Sequence, residues 1–373
     1  MRRLLRWGLC CALAAGLSRT AGAQEHTTLG GYGEVHYTNS TAPNTPGVVN
    51  LARFVAYVAH TFDDQLTFRS ELEVEDAKVE GGKPGGEVAL EQAYLDYRVA
   101  DWLTVRTGLV LTPVGIINET HEPPTFNGVD RPGFDNDLIP TTWREIGVGA
   151  VGTIPGGSGL AYRVYLVNGL RADGFSASEG IREGRQEGRD ASFANPSFTG
   201  RLEWARPGWK IGGSFWYGGT ANADSILGRG SFAAPITLVS ADVRYDVGGA
   251  SFRGEVASIS VSAAAAIDAR YGTTVGSRIA GGYVEGAYDL LRLLAPGSSH
   301  KLNAFARHER YDTQASVPAG VARDRSLARR LTTFGLTFKP TWNTAFKGDY
   351  QIVRNAAGVG EHEVLSLGVG YQF

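Results

Sequence analysis

Cysteine is almost missing from this 373-residue chain: there are two, Cys10 and Cys11, both near the start. A disulfide framework for the rest of the chain is thereby excluded. Methionine occurs once, as Met1. Lysine is scarce, with six copies at positions 78, 83, 210, 301, 339 and 347. Neither sign of charge dominates: 36 Lys and Arg stand against 38 Asp and Glu, which argues against a nucleic-acid partner. After residue 23 no apolar run approaches the roughly 18 residues that a membrane-crossing helix needs. Mean hydropathy is -0.14 and 20% of residues are charged, so a bundle of membrane helices is ruled out. There is no Gly-X-Y period, although glycine is abundant at 50 residues. Collagen is therefore excluded, and the excess glycine fits a closed sheet with tight turns and close backbone approaches.

The first 23 residues read as an export signal. Met1–Ala23 opens Met-Arg-Arg-Leu-Leu-Arg, continues apolar through Leu17, and ends Ala21-Gly22-Ala23 with the small residues a signal peptidase reads. No lipoprotein-type context surrounds either cysteine. Cleavage after Ala23 removes four of the 36 basic residues, leaving 32 against 38 acids, a net charge of -6. Residues 24–373 are then a single exported domain without disulfides.

That domain is written in period two. Leu66, Phe68, Leu72 and Val74 share one face of an extended segment, and Thr67, Arg69, Glu71 and Glu73 the other. At the C-terminus Leu365, Leu367, Val369, Tyr371 and Phe373 alternate with Ser366, Gly368, Gly370 and Gln372. The same reading places strands near 28–37, 50–62, 65–75, 88–99, 102–111, 141–153, 159–168, 197–206, 209–218, 235–246, 250–258, 277–289, 300–311, 330–339, 344–354 and 363–373. Short connections (63–64, 100–101, 155–158, 207–208, 247–249) alternate with long ones (112–140, 169–196, 219–234, 259–276, 312–329). This asymmetry predicts an all-β fold, a transmembrane antiparallel β-barrel of about 16 strands, with tight turns on the periplasmic side and long loops outside. In hydrocarbon every backbone polar group needs a partner, and a sheet meets that demand by closing on itself. Aromatic residues near strand ends (Tyr32, Tyr37, Trp102, Trp143, Trp204, Trp209, Trp216, Trp342, Tyr371) suit interfacial girdles.

Several stretches resemble a known family. The closing Gly-Val-Gly-Tyr-Gln-Phe, with terminal Phe373, resembles the end signal of Gram-negative outer-membrane barrels. Residues 302–313 (LNAFARHERYDT), 334–340 (FGLTFKP) with the strand at 346–352, and 107–116 (TGLVLTPVGI) resemble the phosphate-selective porin O/P group. The resemblance implies a water-filled channel in the outer membrane of a Gram-negative bacterium, a homotrimer, and an inward-folded third loop. It implies passage of small hydrophilic solutes or ions, with anions such as phosphate among them. The many pore lysines of the best-known members have few counterparts among the six here. Expected partners are outer-membrane lipid, small solutes, and the barrel-assembly machinery reached through the strand ending at Phe373.

Projecting the alternation inward gives a candidate lining: Arg69, Glu71 and Glu73; Arg106; Arg163; Arg201 and Glu203; Asp242 and Arg244; Arg253 and Glu255; Arg307 and Glu309; Lys347 and Asp349. Acids and bases are interleaved, often two apart on one strand. Such a wall sets up a transverse field and favours neither ion sign strongly. The longest connection, 112–140, carries Ile116, Ile117 and Phe126, which are too apolar for a free loop. It is expected to fold into the lumen and to narrow it with Asn118, Glu119, His121, Glu122, Asp130 and Arg131. The loop 169–196 (Arg171, Glu179, Arg182, Glu183, Arg185, Glu187, Arg189, Asp190) reads as a solvated mixed-charge surface, open to contacts with anionic lipid. The seven histidines show no metal-ligand spacing, and no Gly-x-Ser-x-Gly elbow or phosphate cradle is present. No catalytic residue, metal or cofactor is expected. Two competing readings are a secreted or surface β-sandwich that binds glycans and an outer-membrane enzyme with a Ser or Asp beside a His at its outer rim.

Overall fold

The computed structural model describes residues 26–76, 86–157, 159–226 and 232–373. The expected signal segment, Met1–Ala23, lies outside these described residues. Sixteen strands follow one another: β1 (His26–Ser40), β2 (Val48–Thr61), β3 (Leu66–Glu75), β4 (Glu87–Ala100), β5 (Leu103–Leu111), β6 (Arg144–Thr153), β7 (Leu160–Val167) and β8 (Ser197–Arg206) form the first half. The second half is β9 (Trp209–Gly219), β10 (Pro235–Val247), β11 (Ala250–Val261), β12 (Arg278–Asp289), β13 (Lys301–Ser316), β14 (Ala328–Thr341), β15 (Thr344–Asn355) and β16 (His362–Gln372). Each strand pairs antiparallel with its sequence neighbours, and β1 pairs with β16, so the sheet closes into a barrel. This closure overturns the β-sandwich alternative. It also removes every free edge.

The wall follows the alternation. Phe252 and Val256 of β11 are exposed, whereas Glu255 between them is buried. On β16 Leu365, Leu367 and Val369 are exposed and Ser366 is buried. Tight turns fall where glycine supplies a positive φ. β10 and β11 are joined by Gly248 (φ 55) and Gly249 (φ 92) alone, the geometry of a type I′ hairpin. Glycine also makes room inside: a Cβ on Gly149 would sit 2.3 Å from Cδ1 of Tyr165 on the neighbouring strand. One connection breaks the short-long order. Residues 290–300, on the short-turn side, hold a helical turn at Leu291–Leu294. The strands β13 and β14 run further than the alternation suggested, to Ser316 and from Ala328, which shortens the loop between them to 317–327.

The interior is not uniformly polar. Inward residues of β7, β9, β10 and β11 (Tyr165, Trp216, Ile236, Ile259) form one buried cluster with Ile116, Ile117, Phe134, Ile139 and Trp143 from the stretch 114–143. Trp143 and Trp216 lie with ring centroids 4.2 Å apart. Tyr32, Trp143 and Trp216 are therefore core residues and not girdle residues, a correction to the expectation above. Trp102 and Trp209 remain exposed, as a girdle requires, whereas Trp342, also exposed, borders the cavity at the short turns.

Candidate channel lining

The stretch 112–140 is held by hydrogen bonds at its base and along its length. Asn118 clamps the base: its Nδ2 donates to the Thr112 and Trp143 carbonyls at 2.7 and 3.0 Å, and its Oδ1 accepts from the Trp143 amide at 2.7 Å. Further along, backbone groups meet charged side chains of distant strands. Glu255 on β11 accepts from the Ile116 amide (3.1 Å), Asp349 on β15 from Val129 (2.6 Å), and Glu309 on β13 from Phe134 (2.9 Å). Arg53 on β2 donates to the His121 carbonyl (2.8 Å), Arg253 on β11 to Thr125 (2.9 Å), and Lys339 on β14 to Pro124 (2.6 Å). A backbone segment withdrawn from water needs such partners, and charged partners make the stronger bonds.

The expected lining residues divide by their surroundings. Arg201, Asp242, Glu255, Arg307, Glu309, Lys347 and Asp349 are buried, at most 8% exposed. Arg201 bridges Asp242 (2.6 Å) and Glu203 (3.0 Å), and Arg244 reaches the same Glu203 (2.9 Å). Arg307 bridges Glu285 and Glu309. Lys347 lies 3.8 Å from the centre of the Phe126 ring. Glu255, Arg307, Glu309, Lys347 and Asp349 each also touch a residue of the 112–140 stretch. Arg69, Glu71, Arg106, Glu119 and Glu122 instead border a cavity of about 450 Å³ towards the short turns. Glu73, Asp130 and Arg131 border another of about 630 Å³ on the side of the long loops. Arg163 pairs with Glu119 at 3.2 Å.

Both cavities lie against β1 to β4, so the open space is eccentric. Along β1, Tyr32 borders one cavity and Glu34 and His36 the other; along β3, the boundary falls between Glu71 and Glu73. Several of these residues escaped the projection from sequence. Glu34 pairs with Arg53 (2.5 Å) and His36 (3.1 Å), and His36 reaches Asp130 (3.4 Å). The polar face Tyr32-Glu34-His36 is visible in the alternation of β1, but the glycines before it weaken the signal. Glu91 is hidden by a register shift. Glu71 pairs with Gln92 while Leu72 pairs with Leu90, leaving Glu91 as the extra residue of a bulge.

Charges on the connecting segments are shifted by this burial. Asp135, fully buried with neither carboxylate oxygen hydrogen-bonded, is pushed well above the usual carboxylate range by loss of solvent and by nearby Glu309. Burial also raises Glu119, against the pull of Arg163.

The stretch 169–196 is not the solvated surface that its mixed charges suggested. Arg182 donates to the carbonyls of Asn136 and Thr141, and Arg185 to those of Pro140 and Thr142. Burial and the neighbouring Arg182 bring the Arg185 guanidinium down to about 10. The two arginines satisfy orphan carbonyls between Asn136 and Thr142, while Ser178, Glu183, Arg189, Asp190, Phe193 and Ala194 of the 169–196 stretch stay exposed.

Three metal-capable side chains do converge, although no sequence spacing announced them. Donor atoms of Glu71, Glu91 and His121 lie within 4.8 Å of one another. They come from β3, β4 and the 112–140 stretch.

Comparison with known proteins places this architecture. No family model matches the chain. An uncharacterised protein of Aquifex aeolicus (strain VF5) is 35% identical over 350 residues, covering 91% of this chain and 78% of that protein. Among solved structures, the outer-membrane channel DcaP of Acinetobacter baumannii superposes with a TM-score of 0.58 at 12% identity, over 96% of this chain and 100% of DcaP. An anion-selective porin from Comamonas acidovorans gives 0.57 at 13% identity, over 94% and 100%. The trimer form of OmpT, an outer-membrane protein of Vibrio cholerae, gives 0.54 at 12%, over 94% and 99%. The chain belongs to the same family as the Aquifex aeolicus protein, and its fold is that of the sixteen-stranded outer-membrane porins.

Proposed function

We propose that the protein is a passive outer-membrane porin for small hydrophilic solutes or ions. The observation that carries this reading is the closed wall with apolar residues outside and two charged cavities inside, on either side of residues 116–131. A hollow barrel of this strand number holds an aqueous path. In this reading residues 112–140 fold into the lumen and are its constriction, supported by their hydrogen bonds to β2, β11, β13, β14 and β15. Arg69, Glu71, Arg106, Glu119 and Glu122 line the path on one side, Glu73, Asp130 and Arg131 on the other. The deeply buried Arg201, Asp242, Arg307 and Glu309 shape it from behind. Anions such as phosphate remain candidate solutes on the family resemblance and on the anion-selective relative in fold. The interleaved signs of the lining argue for weak selectivity. Export by Met1–Ala23, delivery by the barrel-assembly machinery through Phe373, and a homotrimer like the trimer form of OmpT complete the proposal.

The test is conductance of the purified, heat-modifiable protein in planar bilayers. Stepwise channel openings with a weak reversal potential in a salt gradient are expected. A folded protein that never conducts would remove the reading. Replacing residues 116–131 by a short Gly-Ser linker should raise single-channel conductance severalfold; unchanged conductance would place the constriction elsewhere.

A further inference from the structure

We propose that Glu71, Glu91 and His121 form a binding site for one divalent cation of the zinc type, which ties residues 112–140 to the wall at β3 and β4. Their donor atoms already lie within 4.8 Å of one another. A tetrahedral zinc with bonds of about 2.0–2.1 Å spaces its ligands by roughly 3.4 Å, so rotamer adjustment of well under the length of a side chain closes the site.

The state of His121 points the same way. Its Nδ1 lies 3.0 Å from the Asn118 carbonyl, an acceptor, so Nδ1 carries a proton. In the neutral ring that leaves a lone pair on Nε2. Nε2 faces Oε2 of Glu91 at 3.3 Å, and the Tyr32 hydroxyl stands 2.8 Å from Nε2 and 2.7 Å from Oε2. Two acceptors thus share the single hydrogen of Tyr32. A metal ion between them would take both lone pairs. A histidine whose far nitrogen is fixed by a backbone carbonyl is the usual arrangement of a metal ligand.

Two further observations favour the metal. Glu91 is wholly buried, and its second oxygen, Oε1, has no hydrogen-bond partner among the described residues. The surroundings are acidic: Glu73 is buried on the same strand as Glu71, and Glu122 has a buried unpartnered oxygen next to His121. Two bases stand near: Arg53, whose Nε goes to Glu34 and Nη2 to the His121 carbonyl, leaving Nη1 unpartnered among the described residues, and Arg131; neither donates a hydrogen bond to Oε1 of Glu91. The bulge at Glu91 is what turns this carboxylate inward, and bulges re-aim side chains at functional sites. One imidazole with carboxylates suits zinc-type cations over calcium or magnesium. Glu71 and Tyr32 border the cavity on the short-turn side, which gives the ion its way in.

The experiment uses the full-length barrel, folded in detergent and stripped with chelator, titrated with zinc by equilibrium dialysis. One zinc per chain is expected, uncompeted by excess calcium, with affinity falling at least tenfold in His121→Ala and in Glu71→Gln. His300→Ala, an exposed histidine elsewhere, should bind as the parent does. Heat modifiability checks the fold of each variant. Should a variant fail to fold, X-ray absorption of the zinc-loaded parent decides: one imidazole nitrogen among oxygen donors supports the site. No zinc bound by the parent, equal affinity in the folded variants, or a spectrum with two or more imidazoles would overturn it. Conductance is measured separately, so loss of this site leaves the porin reading standing and loss of the porin reading leaves this site testable.

Discussion

Arg106 shows how much of a side chain's surroundings the alternation of a strand leaves unsaid. It faces away from Leu109, as the alternation requires, but it is not a bare charge. It forms a two-pronged pair with Asp96 at 2.8 and 2.9 Å and lies 4.0 Å over the Tyr94 ring. Neutralising it as Arg106→Gln leaves Asp96 uncompensated beside the cavity. Reversal potentials should move towards cation preference; no movement would take the pair out of the conducting path. Asp135 carries the opposite lesson, a buried acid whose loss of solvent outweighs the pull of Arg307 and Arg131 and whose oxygens find no hydrogen-bond partner among the described residues. Its folded form holds a proton above the pH, near 4, at which the unfolded chain releases one. Stability of the stretch around it is therefore full below that pH and falls as pH climbs towards the raised folded value. In Asp135→Asn the fall should vanish and thermal stability at pH 7 should rise, by on the order of 1–3 kcal/mol. Melting curves between pH 4 and 8 that decline equally in both proteins would refute this. Neither the dryness at Asp135 nor the bulge at Glu91 was legible in sequence, because both depend on what sits across the barrel.

At the scale of elements, the strands were the legible part. Period two reports directly on which face meets lipid, so sixteen strands and the long-short order of their connections could be read from residues such as Leu365–Phe373. The ends of β13 and β14 could not, since beyond the apolar belt neither face needs to be greasy. The long connections were read unevenly. Ile116, Ile117 and Phe126 gave 112–140 away as a packed segment, and they do lie in the buried cluster. The charges of 169–196 misled, because a guanidinium that donates to carbonyls looks the same in sequence as one that faces water. Arg185→Ala should free the Pro140 and Thr142 carbonyls. Faster hydrogen exchange across 134–143, with no change in the strands, is the expected result; unaltered protection would mean that Arg182 alone suffices.

For the molecule as a whole, the decisive contact is the join between β1 and β16. Gly31 and Phe373 exchange both backbone hydrogen bonds, at 3.0 and 2.8 Å, and the Phe373 ring lies 6.5 Å from those of Phe54 and Tyr371. Deleting Phe373 removes both bonds and the ring. The yield of heat-modifiable barrel should drop severalfold, with band-shift electrophoresis after refolding as the readout; a full yield would show that the remaining register pairs of the join are enough. The sequence revealed the terminal aromatic and its face, but which strand it would meet is a property of the complete ring.

That join has a kinetic corollary. Its register partners, from Tyr32 with Gln372 to Ser40 with Val364, are roughly 340 residues apart, and bringing ends so distant together costs about 5 kcal/mol in chain entropy. Every other rung of the wall joins neighbours in the sequence and forms cheaply. The polypeptide therefore faces one expensive event, placed last, before which it is a curled ribbon with two raw margins and after which it has none. Anything that escorts this protein to the membrane has that single interval to guard.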